Sequence, residues 1–398
     1  ETRHAQGYAL AASPYTETVA GPVSIARTDR DGRTTEQIQA AYSGTLAGLA
    51  SATILQSDYT AWTTYQYSKT RPVSTRMYDD IPSSGSGTEG TNFEQASYGY
   101  ETFGTDKMGR QNRTLAPDGT ITRVVYDARG NIVSAWLGTD DTGATDADPT
   151  GGAAQGNNMV KVAGSAFDAD GNLNQSRSYF GSGANDYYAI EYQYDWRDRV
   201  TDVLSPADVV THTDYDNLGR ATWSKSYASA DFTLSAGELR AQTNSLYDAL
   251  GRVYESRLYE VDPDDGTVGD YLPSFTWYDA RGYTVKTAAA GGLFQKYAFD
   301  GLGRTVARYT SFDTDETAYA DADDVTGDTV IEQTRTWHNP AGQTVATATY
   351  QRLPDDTSTT GALDAANSYA TAAVTWYDGL GRTVTTADYG REDVDSDL

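Results

Sequence analysis

The stretch Tyr247-Asp248-Ala249-Leu250-Gly251-Arg252-Val253 decides the fold, because it recurs along the chain. Close copies are Tyr215-Asp216-Asn217-Leu218-Gly219-Arg220, Phe299-Asp300-Gly301-Leu302-Gly303-Arg304 and Tyr377-Asp378-Gly379-Leu380-Gly381-Arg382. Looser copies are Tyr126-Asp127-Ala128-Arg129-Gly130-Asn131, Phe167-Asp168-Ala169-Asp170-Gly171-Asn172 and Tyr278-Asp279-Ala280-Arg281-Gly282-Tyr283. Two are degenerate: Tyr194-Asp195-Trp196-Arg197-Asp198-Arg199 and Trp337-His338-Asn339-Pro340-Ala341-Gly342-Gln343. Self-similarity of this kind marks an array of one supersecondary unit, which has no fixed domain size.

Each copy has a local physical meaning. Asp-x-x-Gly places Asp first and Gly last in a type I turn. The Asp carboxylate accepts a backbone N–H two residues on and closes the turn. Gly then takes the left-handed conformation that side chains resist, and Asp198 can take it at small cost. A type I turn followed by a left-handed residue makes a hairpin with a G1 bulge. The aromatic residue ends the incoming strand and Arg starts the outgoing one. The chain therefore reads as all-β, a meander of antiparallel hairpins. Its tips should share one edge of a ribbon. The longer inserts, Thr139 to Asn158, Asp262 to Tyr271, Asp313 to Asp328 and Pro354 to Asn367, should lie on the opposite edge as solvated loops. The aromatics Tyr126, Phe167, Tyr194, Tyr215, Tyr247, Tyr278, Phe299, Trp337 and Tyr377 should fall into register as a ladder of ring contacts. The Arg of one tip can meet the Asp or the ring face of its neighbour, an interaction worth little when exposed.

Outward from the strong copies the pattern fades. Asp29-Arg30-Asp31-Gly32-Arg33 reads as a diverged tip, and Ser68-Lys69-Thr70-Arg71-Pro72 sits where a tip belongs but lacks Gly. Residues 36–56 read as a hairpin arm with a loop around Gly44 to Gly48. Pro82 to Gly90 is a Ser/Gly-rich linker. Residues 1–90 are thus expected to be diverged β repeats and 91–398 one continuous array. Within it, Thr105-Asp106-Lys107-Met108-Gly109-Arg110 and Ala116-Pro117-Asp118-Gly119-Thr120 read as further tips.

Composition limits the function classes. Thirty basic and 56 acidic residues give a net charge of −26, which disfavours nucleic acid and anionic lipid as partners. The hydrophobic fraction is only 38%, but 30 Tyr, 9 Phe and 7 Trp can build a core of large rings. With no Cys, disulfides and thiolate metal sites are excluded. No apolar run is long enough for a transmembrane helix, so membrane insertion by a helix is not expected. The first residue is Glu1 and no signal peptide is seen, so the chain reads as a piece of something longer.

Little in the sequence points to catalytic chemistry. The three His are His4, His212 and His338. His338 reads as a turn residue in the Asp position, and His212 as a solvent-facing strand residue. None stands at a catalytic spacing from a nucleophile or carboxylate, so no enzyme is expected and no catalytic, cofactor or metal residue is assigned. Paired carboxylates could serve a glycosidase, but Asp is too abundant for any pair to stand out. The acidic clusters are Asp140, Asp141, Asp146 and Asp148; Asp262, Asp264 and Asp265; and Asp313, Asp315, Asp321, Asp323, Asp324 and Asp328. They could hold Ca²⁺, yet none matches a full calcium-loop pattern, and solvated turns account for them.

On these nine copies of the tip, the chain resembles the YD-repeat or RHS-repeat proteins. What the resemblance implies is a segment of a very large bacterial member, exported or at the cell surface. Its antiparallel ribbon would spiral into a hollow shell or tube, with a structural rather than an enzymatic task. An encapsulating shell for a toxin lying outside this segment is the alternative. The Asp-Pro-x-Gly-Leu cleavage signature of such shells is missing, since Asp148-Pro149-Thr150-Gly151 is followed by Gly152. A third reading is an adhesion module whose exposed rings bind glycan or protein. The partners implied are continuation of the same longer chain, self-association, or a surface glycan or protein.

Overall fold

The computed structural model describes residues 1–6, 8–10, 17–19, 21–102, 108–152, 157–181, 183, 185–312 and 322–392. Among the described residues, twenty-five strands belong to antiparallel sheet, and β2 (Tyr8–Leu10) and β3 (Glu17–Val19) form a separate pair. Strands that follow one another in sequence pair with one another, as a meander requires. In the first compact unit, residues 1–191, β1 (Thr2–Ala5) pairs with β4 (Val23–Thr28), which pairs with β5 (Thr34–Ala40). The order then runs through β6 (Tyr59–Ser68), β7 (Arg71–Tyr78), β8 (Phe93–Tyr100), β9 (Gln111–Leu115) and β10 (Ile121–Tyr126). In the second unit, residues 192–398, β16 (Val209–Tyr215), β17 (Ala221–Tyr227), β18 (Leu239–Tyr247), β19 (Val253–Val261) and β20 (Val268–Tyr278) repeat the same plan. It ends with β26 (Ser368–Tyr377) and β27 (Thr383–Glu392).

The tips take the geometry read from the sequence. At the tip joining β16 to β17, the Gly219 N–H donates to the Asp216 carbonyl at 3.0 Å, and the Asp216 N–H to the Arg220 carbonyl at 2.9 Å. Gly219 has φ 85°, and the register slips between Asp214 and Tyr215 as a G1 bulge demands. Asp198 takes the glycine role with φ 59°. The tip after β6 manages without Gly by placing Lys69 at φ 54°.

One tip is shifted from its sequence alignment. The Gly342 N–H donates to the carbonyl of Asn339, and the Gln343 N–H donates to the Asn339 Oδ1. Asn339 therefore holds the Asp position and His338 the aromatic position, with Trp337 one residue earlier. Counting back from the left-handed Gly, rather than from the ring, gives the correct register. His338 faces Thr344 just as Tyr215 faces Ala221.

Residues 36–56 are only in part a hairpin arm. The strand stops at Ala40, and the connection to β6 is longer than the Gly44–Gly48 loop expected, with single 3-10 turns at Leu49–Ser51 and Gln56–Asp58. Its purpose is burial. Leu49 and Ile54 join Val19, Val23, Ile25, Ile38, Ala40 and Trp62 in one apolar cluster. A strand pair has two faces, and this loop covers one of them.

The inserts act in the same way, which corrects the expectation of solvated loops. Ala322 and Leu363 are buried although both belong to inserts. Leu363 is fixed by its N–H donating to the buried Gln333 on β24 (Thr329–His338). Asp328 is 1% exposed at its side chain and meets the Nζ of Lys296 at 3.0 Å. Lys296 stands on β22 (Leu293–Phe299) and also donates to the Asp324 carbonyl at 2.6 Å. Removing one partner of such a pair strands the other charge in a dry site. We expect Lys296→Ala to cost about 3–5 kcal/mol in urea unfolding, far above an exposed Lys→Ala control.

Candidate functional site

The side chains repeated in sequence converge along the tip edge of each unit. Within a tip, Asp216 Oδ1 accepts the N–H groups of Leu218 and Arg220, both at 2.9 Å. Its Oδ2 accepts Nε of Arg220 at 2.6 Å. The carboxylate thus closes the turn and also aims the guanidinium. Arg220 then lies 4.5 Å from the ring centre of Tyr247 in the next tip. The Tyr247 hydroxyl donates back to the carbonyl of Ala221, the residue after Arg220, at 2.7 Å.

This relay repeats. Arg252 lies 4.4 Å from the Tyr278 ring centre and donates to the Asp279 carbonyl, while the Tyr278 hydroxyl donates to Val253. Arg199 relates to Tyr215 in the same way, with the hydroxyl on the Val200 carbonyl. The chain's diverged beginning obeys it too. Arg33 meets Tyr67, whose hydroxyl reaches Thr34, and Arg71 meets Tyr100, whose hydroxyl reaches Pro72.

The expected ladder of touching rings is therefore replaced by alternating Arg and ring. Among the tip aromatics described, the ring pair seen is that of Tyr283 and Phe299, stacked at 5.0 Å. There Tyr283 stands where Arg belongs, so a ring replaces the cation. Side-chain exposures of 23–29% for Arg199, Arg220, Arg252 and Arg304 show these groups half-shielded, not free in solvent. Cation–π contacts at such sites contribute about 0.5–1 kcal/mol each.

Substitutions at the Arg position are compensated. Asn131 keeps the bond to its own Asp127, and Arg129, two residues earlier, reaches the Ala169 carbonyl of the next tip. Arg281 does the same toward Asp300 where Tyr283 replaces Arg. Asn172 still reaches Asp168. Gln343 donates to the Gly381 carbonyl, and Arg304 to that of Asn339. Glu101 was missed by sequence reading. It takes the Asp role for Arg110, with contacts at 2.7 and 2.9 Å, and Arg110 lies over Tyr126. Of the tip expected there, Thr105, Asp106 and Lys107 lie outside the described residues.

The tip carboxyls ionise below the usual Asp range for these reasons. Hydrogen bonds from the Arg199 side chain hold the Asp195 carboxyl down at about 2. In Asp216, Asp248, Asp300 and Asp378 the backbone N–H of the following Arg lowers the carboxyl first, and its guanidinium adds to this.

The acidic inserts are engaged as well. Asp141 accepts from Arg113 at 2.6 Å and from Arg123 at 2.7 Å. Asp146 accepts from Asn112, and Asp140 and Asp148 close local turns through Thr142 and Thr150. Asp262 and Asp265 likewise accept N–H groups two residues on. Among the described residues no group of three or more acidic or His side chains could hold a metal ion. Asp313, Asp315 and Asp321 lie outside them.

His212 does not face solvent alone. Its Nδ1 is 2.7 Å from Asp202 and its Nε2 3.2 Å from Asp214, which also accepts Lys225. Lys225 donates to Asp214 Oδ2 at 2.9 Å, so the row runs on from His212 to a cation. The arrangement is that of cross-strand polar pairing, His212 on β16 opposite Asp202.

The sequence matches no known protein family and no curated protein. Among solved structures it is similar to TcdB2-TccC3-Cdc42, at 12% identity and TM-score 0.33, over 94% of this chain and 19% of that one. It is also similar to a Photorhabdus luminescens Tc holotoxin pore, at 13% identity and TM-score 0.35, over 96% and 22%. TcdB2-TccC3 gives 12% and 0.32, over 96% and 24%. The chain thus spans about a fifth to a quarter of the structures it matches.

Two outcomes test the relay. Tyr247→Phe keeps the ring over Arg220 but removes the hydroxyl donor, and we expect a loss of about 1 kcal/mol in chemical unfolding. An unchanged midpoint would show that the hydroxyl is not engaged. The second concerns pH. Because the folded carboxyl pKa of Asp195 lies below its unfolded value of about 3.9, its stabilisation is complete above about pH 4 and is lost as pH falls toward 2. The other tip Asp residues act in the same direction. Melting temperature should hold steady from pH 7 to about 5 and drop steeply below about 4.

Proposed function

We propose that this chain is a non-enzymatic architectural segment of a larger exported or cell-surface protein, in which the ribbon serves as wall, tube or fibre. The observation that carries this reading is the relay. Asp, Arg and Tyr are the residue types a catalytic site would use, yet at the repeated positions they are occupied with one another. Their regular use along the edge makes a surface that extends by repetition, which suits a scaffold. The shielded Arg positions and insert-covered faces support a chain built to be stiff.

A toxin-enclosing shell is the rival within the same architecture, and the cargo would then lie outside this segment. An adhesion module is the other. Against it stand the many rings that face one another across strands: Trp62 stacks on Tyr78 at 4.0 Å, and Tyr259 meets Trp223 and Tyr271. Rings used for packing are not available as a binding platform.

Electron microscopy of the native full-length protein separates these readings. Long tubes or fibres of constant cross-section are expected. Closed hollow particles with density inside would overturn the architectural reading in favour of the toxin shell.

A further inference from the structure

The joint at which His338 stands in for the tip aromatic is also where a cavity of about 550 Å³ opens within the second unit. Residues of β23 (Thr305–Phe312) and β24 line it, together with Leu363 of the insert that follows β25 (Thr344–Arg352). Arg335, on β24, stands there between Ala307 on β23 and Ala348 on β25, both buried. Two methyl groups leave its guanidinium uncovered, and among the described residues no carboxylate pairs with it. It lies 5.2 Å from the ring centre of Trp337, on the same face of the strand. Gln333, also on that face, is 1% exposed. Its Oε1 accepts the Leu363 N–H at 2.8 Å, which turns the amide nitrogen the other way; that nitrogen has no acceptor among the described residues. Tyr309 faces Gln333 across the ladder. Burial pushes the Tyr309 phenol up, and the nearby Arg335 charge offsets this only in part, so the hydroxyl keeps its proton at neutral pH. Arg304 and Asp300 also line the cavity but are paired with each other. The described lining thus carries one uncompensated positive charge, in a molecule of net charge −26.

We propose that this cavity binds a small carboxylic acid with a flat aromatic body. A cavity of this size, part apolar and with a few convergent polar groups, has the form of a small-molecule site. The planar fork of Arg335 matches a carboxylate with two parallel hydrogen bonds. The Gln333 amide and the Tyr309 hydroxyl are further donors, so the free polar groups are of the kind an anion needs. The indole of Trp337 and the floor at Ala307 suit a ring. One uncompensated cation selects a single negative charge over a phosphate dianion, which the acidic molecule as a whole repels more strongly. Such a site fits a wall, a shell or an adhesion module alike, and its test does not depend on which of them the protein forms.

The test is a ligand-observed NMR titration of the full chain with phenylacetate, and with phenylacetamide as its uncharged counterpart. Saturable binding of the acid is expected, with the amide about ten-fold weaker or more. Arg335→Gln should weaken the acid to a similar degree and leave the melting temperature unchanged, because the side chain is exposed. Arg308→Gln removes the same charge from the opposite face of β23 and should leave the affinity as it was. The comparison of acid with amide uses the unaltered chain and so holds however the variants fold. Absence of saturation, or equal binding of acid and amide, would overturn the proposal. So would equal weakening by Arg308→Gln and Arg335→Gln, which would show attraction by overall charge and no site at Arg335.

Discussion

The guanidinium held between its own Asp and the next tip's ring is the contact on which the ribbon depends. Main-chain pairing alone fixes neither the stagger of one hairpin against the next nor the point at which a strand must turn. A slip by one residue would exchange the two faces of every strand. The relay removes that freedom. Asp248 must sit at the turn for Arg252 to be aimed, and Tyr278 must end its strand in register for the ring to lie under Arg252 and the hydroxyl to meet Val253. One short motif thus encodes the turn, the bulge and the stagger together.

A second constraint follows from building with so few aliphatic residues. A sheet with two faces exposes polar backbone and half-apolar surface unless something lies over it. In both units the inserts and long connections supply that cover, by apolar contact at Leu49, Ile54 and Leu363 and by charge at Asp141 and Asp328. The high acidity of the inserts therefore has two uses. Some carboxylates cap turns in solvent, and others descend to meet Arg or Lys on the sheet. The net charge of −26 is carried by a molecule whose key Asp residues are locally neutralised.

What the sequence makes legible follows from how local each interaction is. The hairpin tips could be read because Asp-x-x-Gly is a four-residue device with its own geometry, and eight tips took the register assigned to them. The shifted tip at Asn339 failed because Trp337 looked like the repeat aromatic, whereas the left-handed Gly342 sets the count. The neighbour's ring face was one of two partners the sequence offered each Arg, and it could not be singled out because it lies on the next hairpin, tens of residues on. Rings were expected to touch rings, and the intervening cation was undervalued as an exposed charge. Glu101 escaped notice because its Arg110 is nine residues away, beyond any tip spacing. Burial of Asp328 was invisible for a similar reason: nothing around it distinguishes it from the exposed acids beside it.

The compensations show which part of the relay matters more. Where Arg is lost at Asn131 or Tyr283, an Arg appears two residues earlier and reaches the next tip's carbonyl. Where the tip Asp is lost, Glu101 or Asn339 still orients its partner. The ring itself varies among Tyr, Phe and His, with His338 still reaching the Thr305 carbonyl at 3.4 Å. Identity is exchanged freely, but a side-chain tie from one tip to the next is kept through several different chemistries. The physical requirement is thus the tie, and the Tyr-Asp-Gly-Arg signature is its commonest solution in this chain. A sequence search tuned to the signature alone would pass over the substituted tips, although those at Asn131, Tyr283 and Gln343 each keep a tie to the next hairpin.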